Sequence, residues 1–238
     1  SATTAPLRNV ALCTMLLEGA IHRPSHLPGM VAFYGPSGWG KSFSAAYAAN
    51  KFRAIYVECK STWTKRALLE AILKEIGIKP ENTAYRMVDQ ISEQLALSGA
   101  PLIIDEMDHI VEKKAVEVIR DIYEGSNAPI LMIGEEDLDI KLRKWERFHN
   151  RMLQWQPAQP ADIDDTKKLA TLYCKDVVIS DDLLNKITHD SLGITRRICV
   201  NLNKVQQEAL NQGKDTISLS EWGNKPLYTG DAPRRRAR

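Results

Sequence analysis

Apolar residues recur at helical spacing over 9–21, where Val10, Leu12, Cys13, Leu16, Leu17 and Ile21 mark one face, and Pro24, Pro28 and Gly29 then break the chain. The spacing predicts an amphipathic helix ahead of a first strand. That strand is the apolar run 30–34, which stops at Gly35, and the alanine-rich stretch 43–49 reads as a helix beginning after a glycine loop. The unit then repeats. A strand is predicted over 54–57 and a helix over 64–76, with Leu68, Leu69, Ile72, Leu73 and Ile76 on one face and Gly77 at its end. Further helices are predicted over 83–97 and 115–123, the latter closed by Gly125, and further strands over 102–104, 130–133 and 152–155. Strands and helices in alternation imply a parallel sheet covered by helices on both faces. Beyond Pro157 and Pro160 the strand signals fade into helical patterns over 162–174, 181–190 and 196–211, which predict a small helical domain.

The boundaries follow: an α/β domain over 1–158, opened by a linker helix segment over 1–29, a helical domain over 159–226, and a basic tail over 227–238. The tail ends in Arg234, Arg235, Arg236, Ala237 and Arg238 and is expected to be disordered. A chain of 238 residues, 44% hydrophobic and 26% charged, has the means to bury a core in this way. Its 32 basic and 30 acidic side chains leave a net charge of +2, which excludes a globally basic nucleic-acid coat but not a local basic face. Cys13, Cys59, Cys174 and Cys199 are scattered, without zinc or redox spacing, and read as reduced, buried thiols of a cytoplasmic protein. His22, His26, His109, His149 and His189 likewise show no metal-site spacing. No apolar stretch approaches the roughly 20 residues that cross a bilayer, and no secretory signal is present, so no membrane partner is expected. The chain opens at Ser1 rather than Met, which leaves room for a domain ahead of it.

Between the first strand and the alanine-rich helix stands Gly35-Pro36-Ser37-Gly38-Trp39-Gly40-Lys41-Ser42, a full G-x-x-x-x-G-K-S loop. Its glycines let backbone N–H groups turn inward around phosphate oxygens, and the helix amino terminus adds partial positive charge. Lys41 is expected to bridge the β- and γ-phosphates of ATP, and the Ser42 hydroxyl to ligate Mg2+. Pro101-Leu102-Ile103-Ile104-Asp105-Glu106 is an apolar strand ending in two carboxylates, at the end of a parallel sheet where ligands bind. Asp105 is expected to hold magnesium, usually through water, and Glu106 to polarise an attacking water. A carboxylate at that second position points to hydrolysis of ATP to ADP and phosphate rather than transfer to a small acceptor.

These two motifs, with the helical segment after the sheet, resemble an AAA+ ATPase over residues 9–222. The resemblance implies an α/β P-loop NTPase fold of three layers about a parallel sheet, with a small C-terminal α-helical lid. It also implies a first sensor, a polar residue at the end of the fourth strand. Here that segment is Ile130-Leu131-Met132-Ile133-Gly134, followed by Glu135 and Glu136 where asparagine or threonine is more usual. An acid beside the γ-phosphate would repel it rather than donate a hydrogen bond, which leaves the sensor-one residue open. In Glu146-Arg147-Phe148-His149-Asn150-Arg151-Met152 the place of the family's arginine finger is matched best by Arg151 and second by Arg147. Such a guanidinium acts in a neighbouring subunit's site, within a helical or ring homo-oligomer. Gly193-Ile194-Thr195-Arg196-Arg197 resembles the second sensor, with Arg196 reaching back to the γ-phosphate and Arg197 facing elsewhere. Two cations at a helix start oppose its dipole, so something other than helix stability keeps them there.

The segment Ile55-Tyr56-Val57-Glu58-Cys59-Lys60-Ser61-Thr62-Trp63-Thr64 and the turn Ile133-Gly134-Glu135-Glu136 resemble the transposition ATPases, the group of the phage Mu B protein and its TnsC, TniB and IstB relatives. That resemblance implies a protein that assembles on double-stranded DNA with ATP, marks target sites, and recruits or stimulates a transposase. Lys60, Thr64, Lys65 and Arg66 are then the first DNA-contact candidates, in a loop that faces the central channel of helical AAA+ assemblies. Lys113, Lys114 and the arginine tail come second, and Trp63 either meets DNA or packs under the next helix. Rival readings are a replication helicase loader or initiator, and a signalling or secretion ATPase that binds no nucleic acid. A small-molecule kinase fits Glu106 and the lid less well.

Overall fold

The computed structural model describes residues 7–232 and 234; of the tail expected to be disordered, Arg235, Arg236, Ala237 and Arg238 lie outside the described residues. One compact unit comprises Asn9–Ser37 and Lys41–Ala158. Helix α1 (Arg8–Ile21) precedes strand β1 (Met30–Tyr34), and helix α2 (Lys41–Phe52) follows the glycine loop. Strand β2 (Ile55–Glu58), helices α3 (Lys65–Ile76) and α4 (Ala84–Ser98) and strand β3 (Leu102–Asp105) come next. Helices α5 (Asp108–Val111) and α6 (Ala115–Ser126), strand β4 (Ile130–Gly134), helices α7 (Leu138–Arg143) and α8 (Glu146–His149) and strand β5 (Met152–Pro157) complete the unit. The five strands are all parallel, in the order β2-β3-β4-β1-β5.

Sequence composition explains that order. Strands β3 and β4 are buried along their whole length and apolar up to their last residues, as interior parallel strands must be. Strand β5 alternates polar Gln154 and Gln156 with apolar neighbours and ends in Pro157, which cannot donate to a ladder and is tolerated at a sheet edge. On one face Met30, Ala32, Leu102, Ile104, Ile130 and Met132 join Leu68, Ile72, Met87, Ile91 and Ile119 in one apolar cluster. By strand alternation Val31, Phe33, Ile103, Leu131 and Ile133 point to the opposite face, where they are equally buried.

Helix α2 extends beyond the expected 43–49 at both ends, and the end of α6 differs in kind from expectation. Gly125 does not close α6, which runs on to Ser126 and ends at Asn127, in the left-handed region at φ 55°. Glycine is needed at 125 because α4 crosses there: a Cβ would come within 2.8 Å of the Ser92 hydroxyl.

The second compact unit holds the described residues from Gln159 onward, with Leu7, Arg8 and Gly38–Gly40. Helices α9 (Ile163–Tyr173), α10 (Asp181–Asp190), α11 (Thr195–Asn211) and α12 (Leu219–Trp222) surround a core of Leu169, Leu183, Ile187, Ile198, Leu202 and Val205. Asp162 caps α9 in a reciprocal box with Asp165, whose carboxylate also accepts the Arg8 N–H at 2.8 Å. The helical patterns did not disclose two strands, β6 (Val178–Ile179) and β7 (Thr216–Ile217), which pair in parallel between helices. At two residues each they are too short for alternation to register.

Candidate nucleotide site

Strand β1, between β4 and β5, delivers the chain to the glycine loop, and the Gly35 N–H donates to the Gly134 carbonyl at 3.2 Å, anchoring the loop to β4. Gly38 and Gly40 take φ values of 86° and 74°, which a side chain would disfavour. Lys41 is the first residue of α2 and only 8% exposed. Its Nζ donates to the carbonyls of Gly35 at 2.5 Å and Pro36 at 2.7 Å. Burial holds this ammonium below its ordinary pKa, against the opposing pull of Glu135, Glu106, Asp105 and Asp108. It is a desolvated cation satisfied by two neutral oxygens of its own loop. Phosphate oxygens would satisfy it better. Ser37 and Ser42 are exposed, while Pro36, Gly38, Trp39 and Gly40 are partly covered.

Asp105 ends β3 at 1% exposure. Its Oδ2 accepts the Tyr56 hydroxyl at 2.5 Å and its Oδ1 the Glu106 N–H at 2.7 Å. Burial, and then the hydrogen bond to Asp105, push the Tyr56 phenol well above its usual pKa, so it stays a donor. Glu106 sits at φ 53°, a left-handed conformation that costs a non-glycine residue roughly 1–3 kcal/mol. The turn is fixed from outside, since the Met107 N–H donates to the Ile133 carbonyl at 2.9 Å. Glu106 Oε2 lies 3.8 Å from His109 Nε2. Burial first, then the charges of Asp105 and Glu135, hold the Glu106 carboxyl above the usual range, with His109 opposing. A raised carboxyl is a stronger base, the property required of a group that takes a proton from water.

At the end of β4 the sequence left the sensor residue open, and the structure brings two unanticipated residues there. Asp108 accepts the Glu135 N–H on Oδ2 at 2.8 Å and the Lys141 ammonium on Oδ1 at 2.9 Å. That hydrogen bond raises the Lys141 pKa. A Cβ at Gly134 would come within 2.6 Å of Leu138 and 2.7 Å of Asp108 Oδ2, so a side chain there would require both to move. Only the D-x-x-D spacing of Asp105 and Asp108 could have hinted at this link.

The arginines divide between the units. Arg151 precedes β5, its carbonyl accepts the Met30 N–H at 3.2 Å, and its Nε pairs with Glu124. Arg147 is exposed on α8, which the buried Phe148 anchors, and it makes no ion pair with a described residue. In the second unit Arg196 is exposed in the first turn of α11, and the Arg197 guanidinium would lie 2.7 Å from a Cβ at Gly230.

Lys60 and Thr64 lie in the loop after β2, while Lys65 and Arg66, expected in that loop, open helix α3; all four are exposed. Thr64 caps α3 by accepting the Ala67 N–H at 3.2 Å. Arg66 is already engaged, with Glu70 at 2.8 Å and the Asn82 carbonyl at 2.7 Å. Trp63 is half-buried against the main core. Lys113, remote in sequence, donates to the Ser61 carbonyl and so joins this loop.

The donor set suits a magnesium nucleotide: a buried ammonium, positive-φ glycines, a helix start, and the hard oxygens of Ser42 and Asp105. Among the described residues no group of three or more His, Cys, Asp or Glu side chains could hold a metal ion by itself. No described helix is long and apolar enough to cross a membrane.

Residues 25–142, just under half of the chain, match the family model described as AAA domain. No curated protein matches the sequence. Among solved structures the chain is similar to Cdc6p from Pyrobaculum aerophilum, with a TM-score of 0.67 and 15% identity over 91% of this chain and 66% of that one. It is similar to the ORC1 protein of Aeropyrum pernix in complex with DNA, with a TM-score of 0.63 and 14% identity over 92% and 64%. The Thermotoga maritima RuvB Holliday junction branch migration motor gives a TM-score of 0.60 and 20% identity over 90% and 66%. The chain therefore spans just under two thirds of the length of these structures. At such identities the likeness is one of fold, and with the parallel five-stranded sheet it gives this chain the AAA+ P-loop fold, with an AAA domain at residues 25–142.

Proposed function

We propose that this chain is an ATP-dependent DNA-binding ATPase that assembles on target DNA and recruits or activates a transposase. The observation that carries the nucleotide part is Lys41, a buried ammonium held by the carbonyls of Gly35 and Pro36 beside the Asp105–Glu106 pair. On ATP binding Lys41 would exchange those carbonyls for β- and γ-phosphate oxygens. Ser42 and Asp105 would hold Mg2+, which when bound neutralises charge on the phosphates. Glu106 would take the proton from the attacking water and direct its oxygen at the γ-phosphorus. Arg196 from the lid, and Arg151 or Arg147 from a neighbouring copy, would stabilise charge on the transferring phosphoryl group.

The DNA part rests on Lys60, in the loop that Lys113 also joins, and Lys65, at the start of α3, exposed cations that form no ion pair with a described residue. The transposase rests on the sequence resemblance of 55–64 and 133–136. A second reading, a replication initiator or helicase loader, is favoured by the fold likeness to Cdc6p and to the ORC1 protein in complex with DNA. The two differ in what they must do with DNA: a target selector coats unrelated sequences, whereas an initiator discriminates among them. Electron microscopy with unrelated duplexes under ATP, ADP and no nucleotide tests both. Continuous ATP-dependent assemblies on any duplex, absent in Lys41→Ala protein, support the selector. Complexes confined to particular sequences favour the initiator, and no DNA association under any nucleotide favours a signalling or secretion ATPase.

A further inference from the structure

We propose that Tyr56 is a positioning residue for the metal-bearing carboxylate, fixing Asp105 in the orientation from which it takes Mg2+; this rests on the assignment of Asp105 to magnesium above. Strand β2 pairs with β3 in a register that sets Tyr56 beside Ile103 and Glu58 beside Asp105. In a parallel pair these four side chains share one face of the sheet. Tyr56 therefore starts two residues short of Asp105, and the phenol is long enough to lean along its strand and donate to Oδ2 at 2.5 Å. A serine or threonine at 56 would not span that distance.

The other carboxylate oxygen is held independently by the Glu106 N–H at 2.7 Å. The terminal torsion of an aspartate is otherwise broad, so donors on both oxygens are what set its plane. Burial at 1% exposure leaves Asp105 little access to water in their place. An ionised carboxylate offers about four lone-pair sites, so two donors leave roughly one free on each oxygen. The chemistry of the donor matters too. A lysine or arginine at 56 would orient the carboxylate but also neutralise it and compete with a cation. The phenol orients it and leaves the negative charge for the metal, as the hydrogen-bonded partners of metal-ligating carboxylates do.

Tyr56→Phe keeps the ring and removes only the donor. Binding of a fluorescent, non-hydrolysable ATP analogue is measured first in EDTA and then as a function of Mg2+, alongside Asp105→Asn protein. Tyr56→Phe is expected to leave metal-free affinity within about twofold while raising the half-saturating Mg2+ concentration about tenfold, the scale of losing an outer partner of a metal ligand. If Tyr56→Phe leaves the Mg2+ requirement unchanged or lowers it while Asp105→Asn raises it, the proposal is overturned and the Asp105 assignment stands. If Asp105→Asn also leaves it unchanged, the assignment falls and takes the proposal with it. Equal weakening with and without metal would mark a purely structural role and likewise overturn the proposal. Should Tyr56→Phe fail to fold, 3-fluorotyrosine placed at 56 retains the donor, and its 19F resonance should move when Mg2+ joins the nucleotide complex. A resonance that does not respond to Mg2+ would overturn the proposal.

Discussion

Glu106 concentrates the physics of the site in one residue. Its backbone occupies a region that costs a side-chain-bearing residue free energy, and its carboxyl is pushed up by burial and by Asp105 and Glu135. The backbone departure is stabilised from outside the residue, by the Met107 N–H bond to the Ile133 carbonyl and by the pairing of β3 with β4. Such a position is poor for stability and good for holding a base beside a reacting water. Glu106→Gln keeps the shape and removes the base, so turnover should fall about 10²–10⁴-fold while ATP affinity is retained, measured by phosphate release and by calorimetry. Unchanged turnover would remove Glu106 from the water-activating role. Within a few positions of it, Asp108 does quieter work, tying the segment after β3 to the β4–α7 turn through the Glu135 N–H and Lys141.

At the scale of elements, Arg147 lies on the short helix α8 and Arg151 just beyond it, and the two differ in freedom. Arg151 is paired with Glu124 on α6, but both groups are more than two-fifths exposed, and such surface pairs contribute about 0–1 kcal/mol. Release into a neighbouring site would therefore cost little. Arg151→Ala is expected to leave nucleotide binding intact and lower turnover, and mixing it with Glu106→Gln protein should restore part of the activity. Mixed assemblies create interfaces with an intact Glu106 facing an intact Arg151. No recovery despite verified co-assembly, with Arg147→Ala showing recovery instead, would move the role to Arg147. Much of this framework was legible in sequence because periodicity and loop chemistry are local: β1 and α10 match their predicted bounds, and the glycine loop lies where G-x-x-x-x-G-K-S requires. What was not legible depends on partners distant in the chain. Gly125 looks like a helix terminator until Ser92 is seen crossing it. Tyr56 looks like an ordinary strand aromatic until β3 brings Asp105 alongside. Lys113 looks like a second, separate basic site until its ammonium reaches Ser61.

For the whole molecule, a net charge of +2 means that any attraction to DNA must come from where cations are placed rather than from their excess. The loop after β2 and the start of α3 are the place at issue, and their four candidate residues are not equivalent. Lys60 and Lys65 are exposed and unpaired among the described residues, whereas Thr64 is spent on the helix cap and two guanidinium nitrogens of Arg66 already have acceptors. Replacing Lys60 and Lys65 with alanine should therefore weaken duplex binding similarly on unrelated sequences, since phosphate contacts carry no base information. The fall of log affinity with log salt should become shallower by up to about 0.9 for each phosphate of B-form DNA that the protein no longer neutralises. Adding Arg66→Ala should change the slope less than either lysine does, because its side chain must first give up Glu70 and the Asn82 carbonyl. ATP affinity should survive in all these proteins, since none of the three side chains is among the hydrogen-bond partners of Lys41 or Asp105 given above, and that separates a DNA defect from unfolding. Fluorescence anisotropy at several salt concentrations reads both quantities. A wild-type slope and affinity in the double variant would exclude this loop as the DNA-binding element, and Lys113, Lys114 and Arg234 would be the next positions to replace.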